Sequence, residues 1–339
     1  MMYRKLGNSG LSVSALCLGM MSYGSRQWQP WVLDRREARG FVKQALDHGI
    51  NFFDTADFYS IGESELALGE AIKGLVPREE LVISSKCGLP MNRTPNARGG
   101  SRKHIRASID ASLARIGVDY LDLYLMHVWD GSTPVEETVD ALQDLVRAGK
   151  ILHFGASNYM TWQLAQAQQL ARRGERSGFT TMQLQYNLAY REEERDMLPF
   201  CNLEGIGVMV FSPLARGWLV SGDGAGVSLT ERERTRVDRD AKAKLIYGSS
   251  ADQVVRERLL EVAARLGLPP GRVALAWVLR HPQVSTVLVG ALEPHHLDEA
   301  VAALDVHLSP EDCALLEEPY RPGPIKSDGL EAVMKPAAK

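Results

Sequence analysis

Four cysteines in 339 residues, Cys17, Cys87, Cys201 and Cys313, never form a C-x-x-C pair. Their scatter excludes a disulfide-built scaffold and a cysteine-rich zinc site, and it fits reduced thiols in a cytoplasmic protein. No apolar run reaches the roughly 18 residues of a membrane crossing. The opening "MMYRKLGNSGLSVSALCLG" has no leader-like apolar core. Net charge is −3, so no basic field invites nucleic acid. The fingerprint G-x-G-x-x-G is missing after every strand-like run, which argues against a doubly wound dinucleotide fold.

What is present is an alternation repeated eight times. Short apolar runs, "SALCLG", "INFFDT", "LVISSK", "LDLYLMH", "ILHFGAS", "TMQLQY", "GVMVFS" and "STVLVG", read as strands. Amphipathic stretches such as "SRKHIRASIDASLARIG" and "PVEETVDALQDLVRAG" separate them, and several end in the Gly favoured just past a helix. Strands apolar at nearly every position suit a parallel sheet covered on both faces. Eight such units predict an α/β fold, a (β/α)8 TIM barrel occupying residues 1–339 as one domain. "YRKLGNSGLSVS" reads as an N-terminal hairpin turning at "NSG" and plugging the barrel floor. Residues 215–252 form a long charged loop after strand seven: a lid, a surface excursion or a partly disordered stretch. Residues 321–339 read as a C-terminal tail.

Barrel chemistry sits at the C-terminal rim of the strands. Strand two ends at Asp54, strand three at Lys86 and strand four at His127, while Tyr59 hangs from the loop after strand two. Taken singly, each has an ordinary reading: a capping Asp, a solvated Lys, a hydrogen-bonded His, a packing Tyr. Together they occupy the tips of three successive strands about 4.8 Å apart. A phenol is a poor acid at neutral pH, with an ordinary pKa of about 10. A neighbouring ammonium favours its phenolate, and a carboxylate holds that ammonium charged. Asp54, Lys86 and Tyr59 supply those parts, and His127 can orient the same substrate oxygen. The group suits proton transfer to a carbonyl being reduced.

These residues and the motifs "LGNSGLSVSALCLGMMSYG", "GINFFDTADFYSIGESELALGEAI", "GKILHFGASNY", "FSPLARGWL" and "ALAWVLRHPQVSTVLVGA" resemble the aldo-keto reductases, over about residues 3–324. "LEEPYRPGPI" and "YREEERDMLPFC" look most similar to the bacterial branch acting on aryl, aliphatic and sugar-like aldehydes. The resemblance implies a (β/α)8 barrel that reduces carbonyls with a nicotinamide cofactor, with Asp54, Tyr59, Lys86 and His127 as its catalytic four. It further implies that Ser157, Asn158 and Gln183 hold the nicotinamide carboxamide and that Phe211 stacks on the ring. The turn Ser212, Pro213, Leu214 to Gly217 would wrap the pyrophosphate. Gly19, Met20 and Met21 would lie near the cofactor beside Asp54, and Gly290, Leu292, His296 and Glu299 at its adenosine end. The chain departs from the family there. Leu292 replaces a basic or polar residue, His296 a Gln and Ala300 an Asn; Met20 stands where relatives often have Thr. NADP is the favoured cofactor on family weight and NAD the alternative, with His295, His296 or an arginine between 232 and 239 as compensating groups.

The substrate expected is a small-molecule carbonyl, an aryl or medium aliphatic aldehyde, walled by Tyr23, Tyr59, Trp129 and the Trp28 and Trp31 loop "RQWQPW". Arg93, Arg98 and Arg102 follow strand three and read as a solvated loop or an anion site. Two other classes fit parts of this pattern. A cofactor-binding redox sensor like the potassium-channel β-subunits would share the site, but the chain shows no coiled-coil arm. A metal hydrolase using Asp54 and His127 lacks further ligands on the other strand ends, so no metal is expected.

Overall fold

The computed structural model describes residues 1–173, 177–221, 229–323 and 325. Eight strands form a closed, all-parallel barrel in chain order. They are β1 (Leu16–Gly19), β2 (Phe52–Asp54), β3 (Val82–Cys87), β4 (Leu121–Met126), β5 (Ile151–Ser157), β6 (Thr181–Gln185), β7 (Gly207–Phe211) and β8 (Val284–Val289). β8 closes on β1 through Leu288 opposite Cys17. All eight runs read from the sequence are these strands.

The helices between them are α1 (Ala38–Asp47), α2 (Glu63–Ile72), α3 (Arg102–Ile116), α4 (Val135–Arg147), α5 (Thr161–Ala171) and α6 (Met197–Glu204). Beyond β7 come α7 (Glu231–Arg239), α8 (Ala241–Ile246), α9 (Ser250–Leu266) and α10 (Pro270–Leu279), then α11 (Pro294–Ala302) and α12 (Pro310–Glu317) after β8. Local chemistry sets their ends. Ser101 accepts from the His104 amide to start α3, and Gly117 ends it at φ +76°, in the left-handed region that favours glycine. Residues 215–252, expected as a loop, are largely helical where described. Thr230 and Glu233 form a reciprocal capping box that starts α7, and Asp240 caps α8. Charge along α7 obscured the apolar periodicity by which helices are read.

Side-chain alternation divides the core in two. Leu16, Leu18, Phe53, Ile83, Tyr124 and Met182 face outward and pack under the helices. Cys17, Phe52, Val82, Leu123, Leu125, Met209 and Leu288 fill the barrel interior. Leu6 and Val13 join that inner cluster from the N-terminal hairpin, where Tyr3–Lys5 pairs antiparallel with Ser12–Ser14. The floor is therefore plugged as expected. Gly7 makes the plug fit: its φ is +56°, and a Cβ would lie 2.5 Å from both Gly205 O and Gly207 N.

Candidate active site

The interior alternation explains the polar layer at the mouth. The inward position after Phe52 is Asp54, after Val82 and Ser84 it is Lys86, and after Leu125 it is His127. Apolar residues fill the lower layers and ionisable ones the top. Register completes the alignment, with Asp54 opposite Ser84 on β3 and Gln183 opposite Ser157 on β5.

Lys86 is 0% exposed, and its Nζ donates to Asp54 Oδ2 at 2.5 Å, Thr55 O at 2.7 Å and Tyr59 OH at 3.3 Å. Three protons thus meet three oxygens. Asp54 accepts in turn from Ser84 Oγ at 2.6 Å and Gln183 Nε2 at 3.0 Å, both on Oδ1. Burial pulls the Lys86 ammonium down, but Asp54 and then Tyr59 outweigh it and hold its pKa above the ordinary value. A charge this deep persists only because its partner and hydrogen bonds are complete. The imidazole of His127 meets the Tyr59 ring edge-on at 5.6 Å. Burial first, then the charges of Lys86 and Lys242, push His127 well below the ordinary histidine range, so it is neutral. Its Nδ1 is buried with no hydrogen-bond partner among the described residues.

Sequence reasoning missed Ser84 and Thr55. Ser84 carried a signal: it is two residues before Lys86, hence on the same face of β3. Thr55 acts through its carbonyl, which no side-chain pattern reveals.

The residues expected at a nicotinamide gather on the other side of the mouth. Asn158 Nδ2 donates to His127 O at 3.1 Å and Ser157 Oγ at 3.0 Å. With Gln183 tied to Asp54, each amide has its NH2 occupied while its carbonyl oxygen makes no hydrogen bond among the described residues. Two oriented acceptors beside a half-buried Phe211 fit a planar carboxamide-bearing ring. Backbone strain marks the same rim. Among the described residues, the non-glycine positions at positive φ are Ser60, Ile61, Asn158, Ser212, Ala215 and Arg216, all in loops after β2, β5 and β7. Gly217 at φ +93° continues that last turn beside Pro213 and Leu214. Arg216 and Arg236 share Asp240 at 2.8 and 2.9 Å, joining the turn to the end of α7.

Other expected contacts fall differently. The Met20 side chain is fully buried in the outer core and its carbonyl accepts from Ser64 Oγ at 2.7 Å, while Met21 is half-buried next to Gly19. Ala300 is buried core and Leu292 is 6% exposed, so neither offers a polar group. Glu299 is paired with Arg272 through two bonds of 2.8 and 3.0 Å. Gly290 is exposed at the end of β8.

Tyr23 is not a pocket wall. It is 0% exposed, packs on Phe41 at 5.3 Å and donates its hydroxyl to Ala291 O. Its place after a rim strand suggested the pocket, but a turn folds it back beneath α1. Trp28, also expected there, does lie beside Tyr59: its ring is 6.3 Å from that of Tyr59 and 6.2 Å from that of Phe58. Trp31, only 4% exposed, carries the Arg236 guanidinium at 3.5 Å over its face and ties that loop to α7. Trp129 packs edge-on against Tyr159 and Trp162. Arg102 pairs with Asp144 on α4, which makes it a surface tie of α3.

Glu233, His295 and His296 bring ligand atoms within 4.8 Å of one another, the one such trio among the described residues. His296 Nδ1 accepts from the Leu292 amide at 3.1 Å, so its proton sits on Nε2 and points at Glu233. That tautomer serves a hydrogen bond and blocks a metal.

The model of the "Aldo/keto reductase family" matches residues 15–321. The chain belongs to that family. Proteins similar to it include versiconal hemiacetal acetate reductase of Aspergillus parasiticus, 37% identical over 96% of this chain and 98% of that one. A Schizosaccharomyces pombe protein named "putative aryl-alcohol dehydrogenase" is 36% identical over 96% and 98%. Another from that yeast, "putative voltage-gated potassium channel subunit beta", is 36% identical over 93% and 92%. As an aldo/keto reductase the protein is an NAD(P)-dependent oxidoreductase acting on carbonyl groups. No helix among the described residues is long and apolar enough to cross a membrane.

Proposed function

We propose that Tyr59 is the proton donor in reduction of an aldehyde or ketone to an alcohol, with Asp54, Lys86 and His127 acting on it and on the substrate. The observation that carries this is the Lys86 ammonium, fully buried between Asp54 and the Tyr59 hydroxyl at 3.3 Å. When bound, a reduced nicotinamide supplies a hydride. The chain's own work is the proton. His127, neutral, hydrogen-bonds the carbonyl oxygen and aims it at the phenol. As that oxygen gains negative charge, Tyr59 releases its proton, and Lys86 stabilises the phenolate left behind. Asp54 keeps Lys86 charged and pointed.

Ser157, Asn158, Gln183 and Phe211 would hold the nicotinamide, and the strained turn at Ser212–Gly217 the pyrophosphate, with backbone amides as anion donors. Residues 290–299 would meet the adenosine, and α7 with α8 would lie over the groove as a lid on the barrel domain. Resemblance alone favours NADPH; the charges around Leu292 are the reason to infer otherwise. Trp28, Phe58 and Trp129 favour aryl over polar carbonyls, and the four free thiols fit a reducing cytoplasm.

Tyr59→Phe is expected to cut turnover of 4-nitrobenzaldehyde by about 10²-fold or more while cofactor affinity stays near wild type. Full activity in that variant would mean the donor is misassigned. Similarity to a channel β-subunit supports a second reading, a cofactor-binding regulator. Tight cofactor binding with no turnover across an aldehyde and ketone panel would favour it.

A further inference from the structure

Resting on the cofactor groove just proposed, we infer that the protein selects NADH over NADPH and that Glu233 is the residue that decides it. α7 crosses the turn that follows β8. Arg232 Nη1 donates to Leu292 O at 3.3 Å, and Glu233 Oε1 accepts from His296 Nε2 at 2.6 Å. This places the Glu233 carboxylate over the start of α11, where the adenosine ribose is expected.

A 2′-phosphate carries roughly two negative charges and needs cations or free backbone amides. The cations and amides near Leu292 are already engaged by the protein's own groups. The Leu292 amide, and more distantly that of Glu293 at 3.4 Å, already donate to His296 Nδ1. Two amides leading into α11 are thus occupied inside the protein, and the His296 amide is turned back on Glu293 O at 3.1 Å. With its second nitrogen committed to Glu233, His296 has no proton left for a phosphate. Arg232 is held by Glu37 at 2.8 Å and lies 4.0 Å from Glu293. Glu37 is shared with Arg26 at 3.5 Å, and His295 Nε2 lies 3.5 Å from Glu233. Three carboxylates, Glu37, Glu233 and Glu293, therefore face two guanidiniums, and Leu292 and Ala300 add only hydrocarbon. A carboxylate suits the other cofactor. It accepts hydrogen bonds from an unphosphorylated ribose diol, as an acidic residue does in dinucleotide folds of another class.

Glu233 is fixed in place. Its Oε2 accepts the Thr230 amide at 2.7 Å in the capping box of α7 while Oε1 faces His296. The discriminating charge is therefore pre-positioned.

Equilibrium titration of the full chain with NADH and with NADPH, read by quenching of tryptophan fluorescence, tests this without turnover. Wild type is expected to bind NADH at least about tenfold more tightly. Glu233→Gln keeps an acceptor for the cap and removes the charge, and it should narrow that ratio by about tenfold, mostly by tightening NADPH. Leu292→Arg leaves the capping box untouched and should raise NADPH affinity as well, so the test survives if the first variant fails to fold. Wild type binding NADPH as tightly as NADH overturns the inference. So do folded variants that leave the ratio unchanged. If neither nucleotide quenches, the groove itself is misplaced and both readings fall together.

Discussion

Replacing Asp54 with asparagine preserves the shape of the side chain and removes the charge that balances Lys86. The two oxygens of Asp54 accept three hydrogen bonds, from Lys86 on one side and from Ser84 and Gln183 on the other. An asparagine has one acceptor. Whichever way its amide turns, an NH2 faces a donor, either the ammonium or the Ser84 and Gln183 pair. In the first case Lys86 is left 0% exposed with only Thr55 O and Tyr59 OH, and in the second it keeps a neutral acceptor but no balancing charge. Breaking a buried pair by removing one partner costs about 3–5 kcal/mol. With an unfolding entropy of about 2.1 cal/mol/K per residue, a chain of 339 residues loses about 4–7 °C of Tm for that change. The double variant Asp54→Asn with Lys86→Met removes the stranded charge and should recover most of the loss, a coupling of more than about 2 kcal/mol in a double-mutant cycle. Circular dichroism melts at fixed scan rate, backed by urea titration, measure all four proteins. An Asp54→Asn cost under about 1 kcal/mol, or a double variant as unstable as the sum of its singles, would refute the coupled pair and the mechanism built on it.

Trp28→Ala should raise KM for benzaldehyde-type substrates by about 2–10-fold, the worth of one aromatic contact, and leave short aliphatic aldehydes near wild type; steady-state kinetics on paired substrates decides. Gly7→Ala forces a Cβ onto Gly205 O and Gly207 N at a positive φ, with an expected loss of more than about 2 kcal/mol by urea unfolding. Burial, then repulsion by Asp196, lifts the Glu193 carboxyl to about 7. A raised carboxyl contributes stability as its neutral form below its unfolded pKa near 4.5, and that stability is lost as pH rises through 7. Glu193→Gln should therefore stabilise the protein at pH 8, by at most about 3 kcal/mol, and by little at pH 5. Equal Tm gains at both pH values would contradict the assignment.

The barrel was legible because its strands are apolar on both faces and bounded by turn residues, a pattern that few other folds share. Asp54, Lys86 and His127 were legible for a related reason: a polar residue ending such a strand can only lie at the rim. What the sequence hid was direction. Tyr23 and Trp28 both follow β1, yet the first turns into the core toward Ala291 and the second turns over Tyr59. That choice depends on a backbone path set by distant contacts, such as the Ser25 amide donating to Ser60 Oγ at 3.3 Å. The latch of α7 was hidden likewise, because Glu233 reads as an ordinary helix-start acid until His296, 63 residues away, is brought beside it.

The hairpin stopper of Leu6 and Val13 fills the lower end of the cylinder with hydrocarbon. The buried charge pair of Lys86 and Asp54 therefore has a dry foundation beneath it, and solvent can approach it only from the strand tips above.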